Sequence, residues 1–219
     1  MNSLIIISAG AYAREIYSWA LDASKAGAPY NLKGFLDDRL NVLDDFNCPI
    51  PILSSFETYV PSPDDRFLCA IGDPATRKKY VEDALSRGFL FESLVHPTAV
   101  VGHCTTLGMG SVVSPMAVLT ADVQIGRFSH IGCMSVCSHH NRIGDWVQIS
   151  GPCGLAGRVV VEEGAFIGAG STFVPGCRVG AWAYVGAGSV VLRRVKPRVK
   201  VFGNPAQPIG VVEDLPVIP

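Results

Sequence analysis

Histidine takes up and releases a proton near neutral pH without help from its surroundings, so the five histidines of this chain are weighed first. His139 and His140 adjoin in Ser138-His139-His140-Asn141-Arg142, and Asp122 lies eighteen residues before His140. One imidazole there is placed to act as general base, with a polar neighbour beside it. His96 precedes Pro97, and His103 and His130 read as surface or structural. A lone histidine is more often structural, so residue type alone leaves the role of His139 open. A second set, Gly10, Asp37, Asp38, Gly72 and Asp73, follows three short apolar runs. Carboxylates and glycines at such ends suit the ribose or base of a nucleotide, although an acidic pair is equally at home in a solvated turn. A third set, Lys196, Arg198 and Lys200, falls within six residues; it is either ordinary soluble surface or a clamp for phosphates. The seven cysteines include no CxxC pair, which favours core filler over metal ligands. No metal is expected.

The element that must position His139 is a repeat. From Ala99 to Arg194 the chain divides into sixteen hexads with no insertion. The third position runs from Val101, Leu107 and Val113 to Val179, Val185 and Val191, and is apolar throughout. The first position is small and uncharged throughout, and Gly follows the apolar site in half of the units. A period of six fits neither a helix nor a flat strand; it indicates a coiled β-solenoid in which three hexads close one triangular turn. Residues eighteen apart then stack at roughly 4.8 Å. Asp122 sits one coil below His140, and Gly157 one coil above His139. Cys137 points inward.

Before the repeat, strand, glycine turn and helix follow one another. Leu4 to Ile7 reads as a buried strand, and Tyr12 to Lys25 has helical spacing. Further strands are expected at Leu32 to Leu36, Pro51 to Leu53 and Arg66 to Ile71, with a short helix at Phe56 to Val60. Asp73 and Pro74 open a helix from Ala75 to Arg87, which Gly88 closes. A last strand, Phe89 to Val95, leads into the first coil. The fold class is therefore an α/β N-terminal domain, a Rossmann-like βαβαβ layout over residues 1–95, followed by a β-helix over 96–194 and a cap and tail over 195–219. The net charge of −1 gives no footprint for nucleic acid or an anionic membrane. The apolar run Leu4 to Ile7 is too short for a signal or a span, so a cytoplasmic location is expected. Small molecules and copies of the chain itself remain as partners.

The stretches Ile7-Ser8-Ala9-Gly10-Ala11-Tyr12-Ala13-Arg14-Glu15, Phe35-Leu36-Asp37-Asp38, Ala70-Ile71-Gly72-Asp73, His96-Pro97, Ser138 to Asp145, and Gly203-Asn204-Pro205-Ala206 together resemble the left-handed β-helix acyltransferases. More narrowly they are similar to bacterial enzymes that N-acetylate a nucleotide-linked amino sugar, with sialic acid O-acetyltransferases as relatives. The resemblance implies a homotrimer, acetyl-CoA lying between neighbouring prisms as acyl donor, and a catalytic base at His139. It puts sugar-nucleotide contacts at Gly10, Ala11, Tyr12, Asp37, Asp38 and Gly72. Where the family has two more glycines and a histidine in the first turn, this chain has Ser8, Ala11 and Tyr12. His140 replaces an acidic residue, and Asp122 is expected to stand in for it. Gln148 replaces a histidine that contacts the thioester end of CoA. On this reading the Gly157 amide meets the oxyanion. The small corner column Pro115, Cys133, Gly151, Ala169 and Ala187 forms a furrow for the pantetheine arm, running towards Lys196 and Arg198. Sugar O-acetylation and a silent nucleotide-sugar-binding solenoid are the alternatives.

Overall fold

The computed structural model describes residues 2–213. β1 (Asn2–Ile7) is flanked by β2 (Tyr30–Leu36) and β4 (Asp65–Cys69), with β3 (Ile52–Ser54) at the edge, in a parallel sheet of order β3-β2-β1-β4. Leu4 to Ile7 are fully buried on both faces, as a parallel strand between helices must be. α1 (Ala11–Lys25) presents Ala13, Ile16, Ala20 and Ala23 to one face. α2 (Pro74–Ser86) is capped by the Asp73 carboxylate, which accepts from Thr76 N at 2.8 Å, with Pro74 in the first turn.

Two expected elements differ. Phe56 to Val60 is a turn held by the Ser55 hydroxyl, which accepts from Thr58 N at 3.4 Å, and Pro61 disfavours a continuing helix. The stretch Phe89 to Val95 does not form one strand, because it serves two sheets. Phe91 bridges to Phe67 of β4, while β5 (Leu94–Val95) pairs with Val112 and Val113 of the solenoid.

From Val100 the chain runs as two-residue rungs β6 to β21, one per hexad, ending at Val190–Val191. They stack in parallel at a register of eighteen residues, as in His130↔Gln148, Val136↔Gly154 and Arg142↔Val160. The result is a left-handed parallel β-helix with three walls. The first contains Val112, His130, Gln148, Phe166 and Tyr184, the second Val118, Val136 and Gly154, and the third Gln124, Arg142 and Val160. Third-position side chains fill the prism, from Val113 and Leu119 to Val185 and Val191. The first wall closes with a hairpin of β22 (Val199–Gly203) and β23 (Ala206–Val211).

Glycine after the apolar site is required by close approach and not by a left-handed backbone: a Cβ on Gly168 would meet Ala187 N at 2.5 Å. The left-handed conformation falls two residues later, at Asp122, Phe128, His140 and Trp146 among others. An L-residue held there is disfavoured by about 1–2 kcal/mol, and at two of these positions aromatic burial offsets that. Phe128 and Trp146 stack at 4.7 Å, and Phe91 meets Phe128 edge-on at 5.0 Å. This seam fixes the α/β layer against the first wall.

Candidate functional site

At the carboxyl ends of β1, β2 and β4 lies a cleft of about 310 Å³ lined by Ser8, Asp37, Asp38, Arg39, Phe56, Ile71, Thr76 and Tyr80. Ser8 takes φ 81°, a conformation that suits glycine. Its turn is held by Asp37, whose carboxylate accepts from Ala9 N at 2.8 Å and from Arg39 through the backbone, Nε and Nη2 at 2.9–3.0 Å. Burial opposes the Asp37 charge, but the Arg39 and Ala9 hydrogen bonds outweigh it and hold the carboxyl below its ordinary range. Asp37 thus builds the turn with its lone pairs already engaged. Asp38 accepts from Phe56 N at 3.1 Å through Oδ1 and also lines the cleft.

A second cavity, of about 300 Å³, opens between α1 and the first wall. Tyr12, Glu15, Trp19, Gly72, Cys133, Gln148, Gly151 and Phe166 line it. Behind it, Tyr12 Oη lies 2.9 Å from His130 Nδ1, and Arg77 Nη1 donates to Gln148 Oε1 at 2.8 Å.

His139 occupies the corner between the second and third walls. A Cβ on Gly157 would fall 2.5 Å from both Cε1 and Nε2 of its ring, so the imidazole lies over the bare glycine of the next coil. Its Nδ1 is 3.1 Å from His140 Nδ1, and His140 Nε2 is 3.9 Å from Asp122 Oδ2. Among the described residues the Gly157 N–H has no acceptor. Corner amides at the equivalent place elsewhere catch carboxylates: Arg127 N donates to Asp145 at 2.7 Å, and Ala181 N to Glu162 at 3.0 Å.

Family models match in two stretches, the PglD N-terminal domain at residues 3–84 and the bacterial transferase hexapeptide at 158–193. The chain is 32% identical to GDP-perosamine N-acetyltransferase of Escherichia coli O157:H7, over 94% of its own length and 96% of the relative's. The chain belongs to the hexapeptide-repeat sugar acetyltransferases. Two solved structures of this kind superpose over nearly the whole chain. PerB of Caulobacter crescentus, in complex with CoA and GDP-perosamine, matches at 30% identity and a TM-score of 0.84, covering 96% of this chain and 98% of PerB. The acetyltransferase domain of PglB from Neisseria gonorrhoeae matches at 26% and 0.85, covering 95% and 100%.

Within one chain of this acetyltransferase the expected site residues fall into separate groups. Asp37 and Asp38 line the first cleft, Tyr12, Gly72 and Gln148 the second cavity, and His139, His140, Asp122 and Gly157 the far corner. Gly10 caps α1 beside Ser8, whose hydroxyl accepts from its N–H at 3.3 Å; Ala11 is exposed in the first helical turn and lines neither cavity. Ala169 and Ala187 stack at the corner between the first and second walls. Lys196 and Arg198 stack at the corner between the third and first walls, where Arg198 N donates to Ala181 O. The two corners are different edges of the prism, so the furrow does not run into these two residues; the register also shortens after Arg194, with Val179↔Val195 and Tyr184↔Lys200. Lys196 instead joins Arg193 and Arg194 around a cavity of about 560 Å³ at the end of the prism. Cys137 is inside the prism with its thiol pushed up to about 12 by burial, so it offers no thiolate nucleophile at neutral pH.

The sequence pattern does not single out Arg77, and it leaves His130 as surface or structural. Arg77 is fully buried, and His130 faces it from the first wall. His130 is in the outward-facing second place of its hexad, so only docking of the α/β layer buries it. Among the described residues no group of three or more His, Cys, Asp or Glu is arranged to hold a metal, and no helix is long and apolar enough to cross a membrane.

Proposed function

We propose that the chain transfers the acetyl group of acetyl-CoA to the amine of a nucleotide-linked amino sugar, by direct attack with His139 as general base. Residues 1–95 hold the sugar nucleotide, 96–194 carry out the transfer and 195–219 close the prism, of which residues 214–219 lie outside the described residues. The observation that carries the reading is the His139 ring seated over Gly157 and tied to His140 and Asp122.

That chain of groups supports one tautomer. With His140 Nε2–H facing Asp122, His140 Nδ1 is the acceptor, His139 Nδ1–H donates to it, and the lone pair on His139 Nε2 is free over Gly157. Asp122 therefore acts on the base through His140 and replaces the missing acid indirectly. The amine attacks the thioester carbonyl carbon while Nε2 takes its proton. The Gly157 amide meets the oxygen as charge develops. The C–S bond then breaks, and the CoA thiolate receives the proton from His139.

His139 and Gln148 stand at different faces of one prism, and a site containing both needs a second copy. The second wall supports such contact. Val100, Val136, Met116 and Met134 are exposed on it and its corner, whereas the third wall turns Gln124, Arg142 and Arg178 outward. A homotrimer packed through the second wall brings the two half-sites together; a monomer by light scattering at assay concentration contradicts it. The chemistry is tested by His139→Ala, expected to lower kcat by about 100-fold or more with the fold intact. Near-normal turnover removes His139 from the mechanism.

A further inference from the structure

α2 carries one charged side chain that reaches both cavities from behind. Arg77 is fully buried, and its hydrogen-bond acceptors are neutral. Nη1 donates to the carbonyls of Ile71 at 2.7 Å and Gly72 at 3.4 Å and to Gln148 Oε1 at 2.8 Å; Nη2 donates to the carbonyls of Trp146 and Val147, both at 3.1 Å. Ile71 lines the first cleft, and Gly72 lines the second. A buried cation with no carboxylate is costly to keep, and packing two layers together would not by itself call for one.

Arginine has only donors, so the atom of Gln148 facing it must be the oxygen, and the amide nitrogen turns towards the cavity. The same logic orders the next group. His130 Nδ1 faces Arg77 Nη1 at 3.4 Å and Tyr12 Oη at 2.9 Å, so Nδ1 is an acceptor and the phenol donates to it. Burial and the nearby guanidinium keep His130 neutral. Polarity therefore runs from the guanidinium to Gln148, and from Tyr12 to His130. The amide hydrogens of Gln148 are left for the cavity that it lines.

We propose that Arg77 is a positioning residue for acyl transfer, fixing and polarising the Gln148 amide so that one N–H points into the second cavity to hold an oxygen of the acyl donor. The inference rests on the acetyl-transfer reading of this site. Because Arg77 is rooted in α2, the donor-binding N–H and the sugar-nucleotide cleft are referred to one rigid element.

A double-mutant cycle on the full chain tests it, with acetyl-CoA as titrant in calorimetry and thermal unfolding followed for every variant. Gln148→Met and Arg77→Met should each weaken acetyl-CoA binding about 10-fold, the double variant no more than either, and Arg77→Lys, which keeps a donor, by about threefold at most. The affinity for the sugar nucleotide should stay within about twofold in all of them. Losses that multiply in the double variant mean that Arg77 only supports the fold, and overturn the proposal. Gln148→Glu guards against unfolding of the arginine variants: its carboxylate pairs with Arg77 and keeps the protein stable but offers no N–H, so acetyl-CoA affinity should fall. Wild-type affinity in Gln148→Glu overturns the proposal. Nitrogen-15 spectra of His130 in the unmodified protein read the polarity without any substrate, and a proton on Nδ1 would refute it. A wild-type chain that binds no acetyl-CoA defeats the acetyl-transfer reading itself, a result distinct from all of these.

Discussion

Gly157→Ala separates the chemistry of the His139 corner from its stability. The added Cβ would fall 2.5 Å from Cε1 and Nε2 of the imidazole. Non-bonded carbon atoms settle at about 3.5–4.0 Å, so the ring must retreat by about 1 Å or rotate off the next coil. A misplacement of that size at a reacting group costs about 100-fold in rate, and kcat is expected to fall by that order. The fold should not suffer, because the His139 side chain is exposed and free to swing into solvent. The backbone of Gly157 is also outside the left-handed region. Replacing glycine there restricts the unfolded chain, worth about 0.4–1 kcal/mol in favour of the folded state. The assay is thiol release from acetyl-CoA at saturating sugar nucleotide, beside a thermal melt. A fully active Gly157→Ala protein, with an unchanged or raised Tm, would refute the seating of the ring over Gly157 as the reactive arrangement.

Four other substitutions probe the same account. Asp122→Asn should lower kcat by only about fivefold and move the pH–rate profile, because an exposed pair at 3.9 Å is worth at most about 1 kcal/mol; an unchanged profile sinks the relay through His140. Ala169→Leu or Ala187→Leu should raise the KM for acetyl-CoA while light scattering still finds the proposed homotrimer intact. Dissociation before any change in affinity would make that column a packing surface. Burial and Arg77 depress the pKa of His130, so the unfolded chain binds a proton there that the folded chain refuses. Stability is therefore fully present above about pH 6.5 and declines below it, by at most about 1.4 kcal/mol per pH unit. His130→Gln should flatten that decline in urea midpoints compared at about pH 5.5 and pH 7.5, and an identical slope in the variant would refute the assignment.

The solenoid was legible because its signal is both periodic and local. A hexad that never slips fixes the register, and the register alone stacks Asp122 below His140 and Gly157 above His139. The glycine-turn cleft was legible as strand ends carrying Asp37 and Asp38, but not the division of labour between them, which depends on Arg39 returning to Asp37. Arg77 was illegible for a physical reason. On α2 it reads as one cation beside Lys78 and Lys79, and only the docking of that helix on the first wall turns it inward. The path from Ala187 to Lys196 was misplaced because the hexads stop at Arg194: Ala187 lies at the corner between the first and second walls, whereas Val179↔Val195 and Tyr184↔Lys200 put Lys196 at the corner between the third and first.

The most direct test is mass spectrometry of the purified chain incubated with acetyl-CoA and a panel of nucleotide-linked amino sugars, their deaminated hydroxyl counterparts and free sialic acid. The account predicts one added acetyl group on an amino sugar nucleotide, located on nitrogen by fragmentation and absent with His139→Ala. Acetyl found only on hydroxyl acceptors, or on none of the panel while acetyl-CoA is bound, would contradict it.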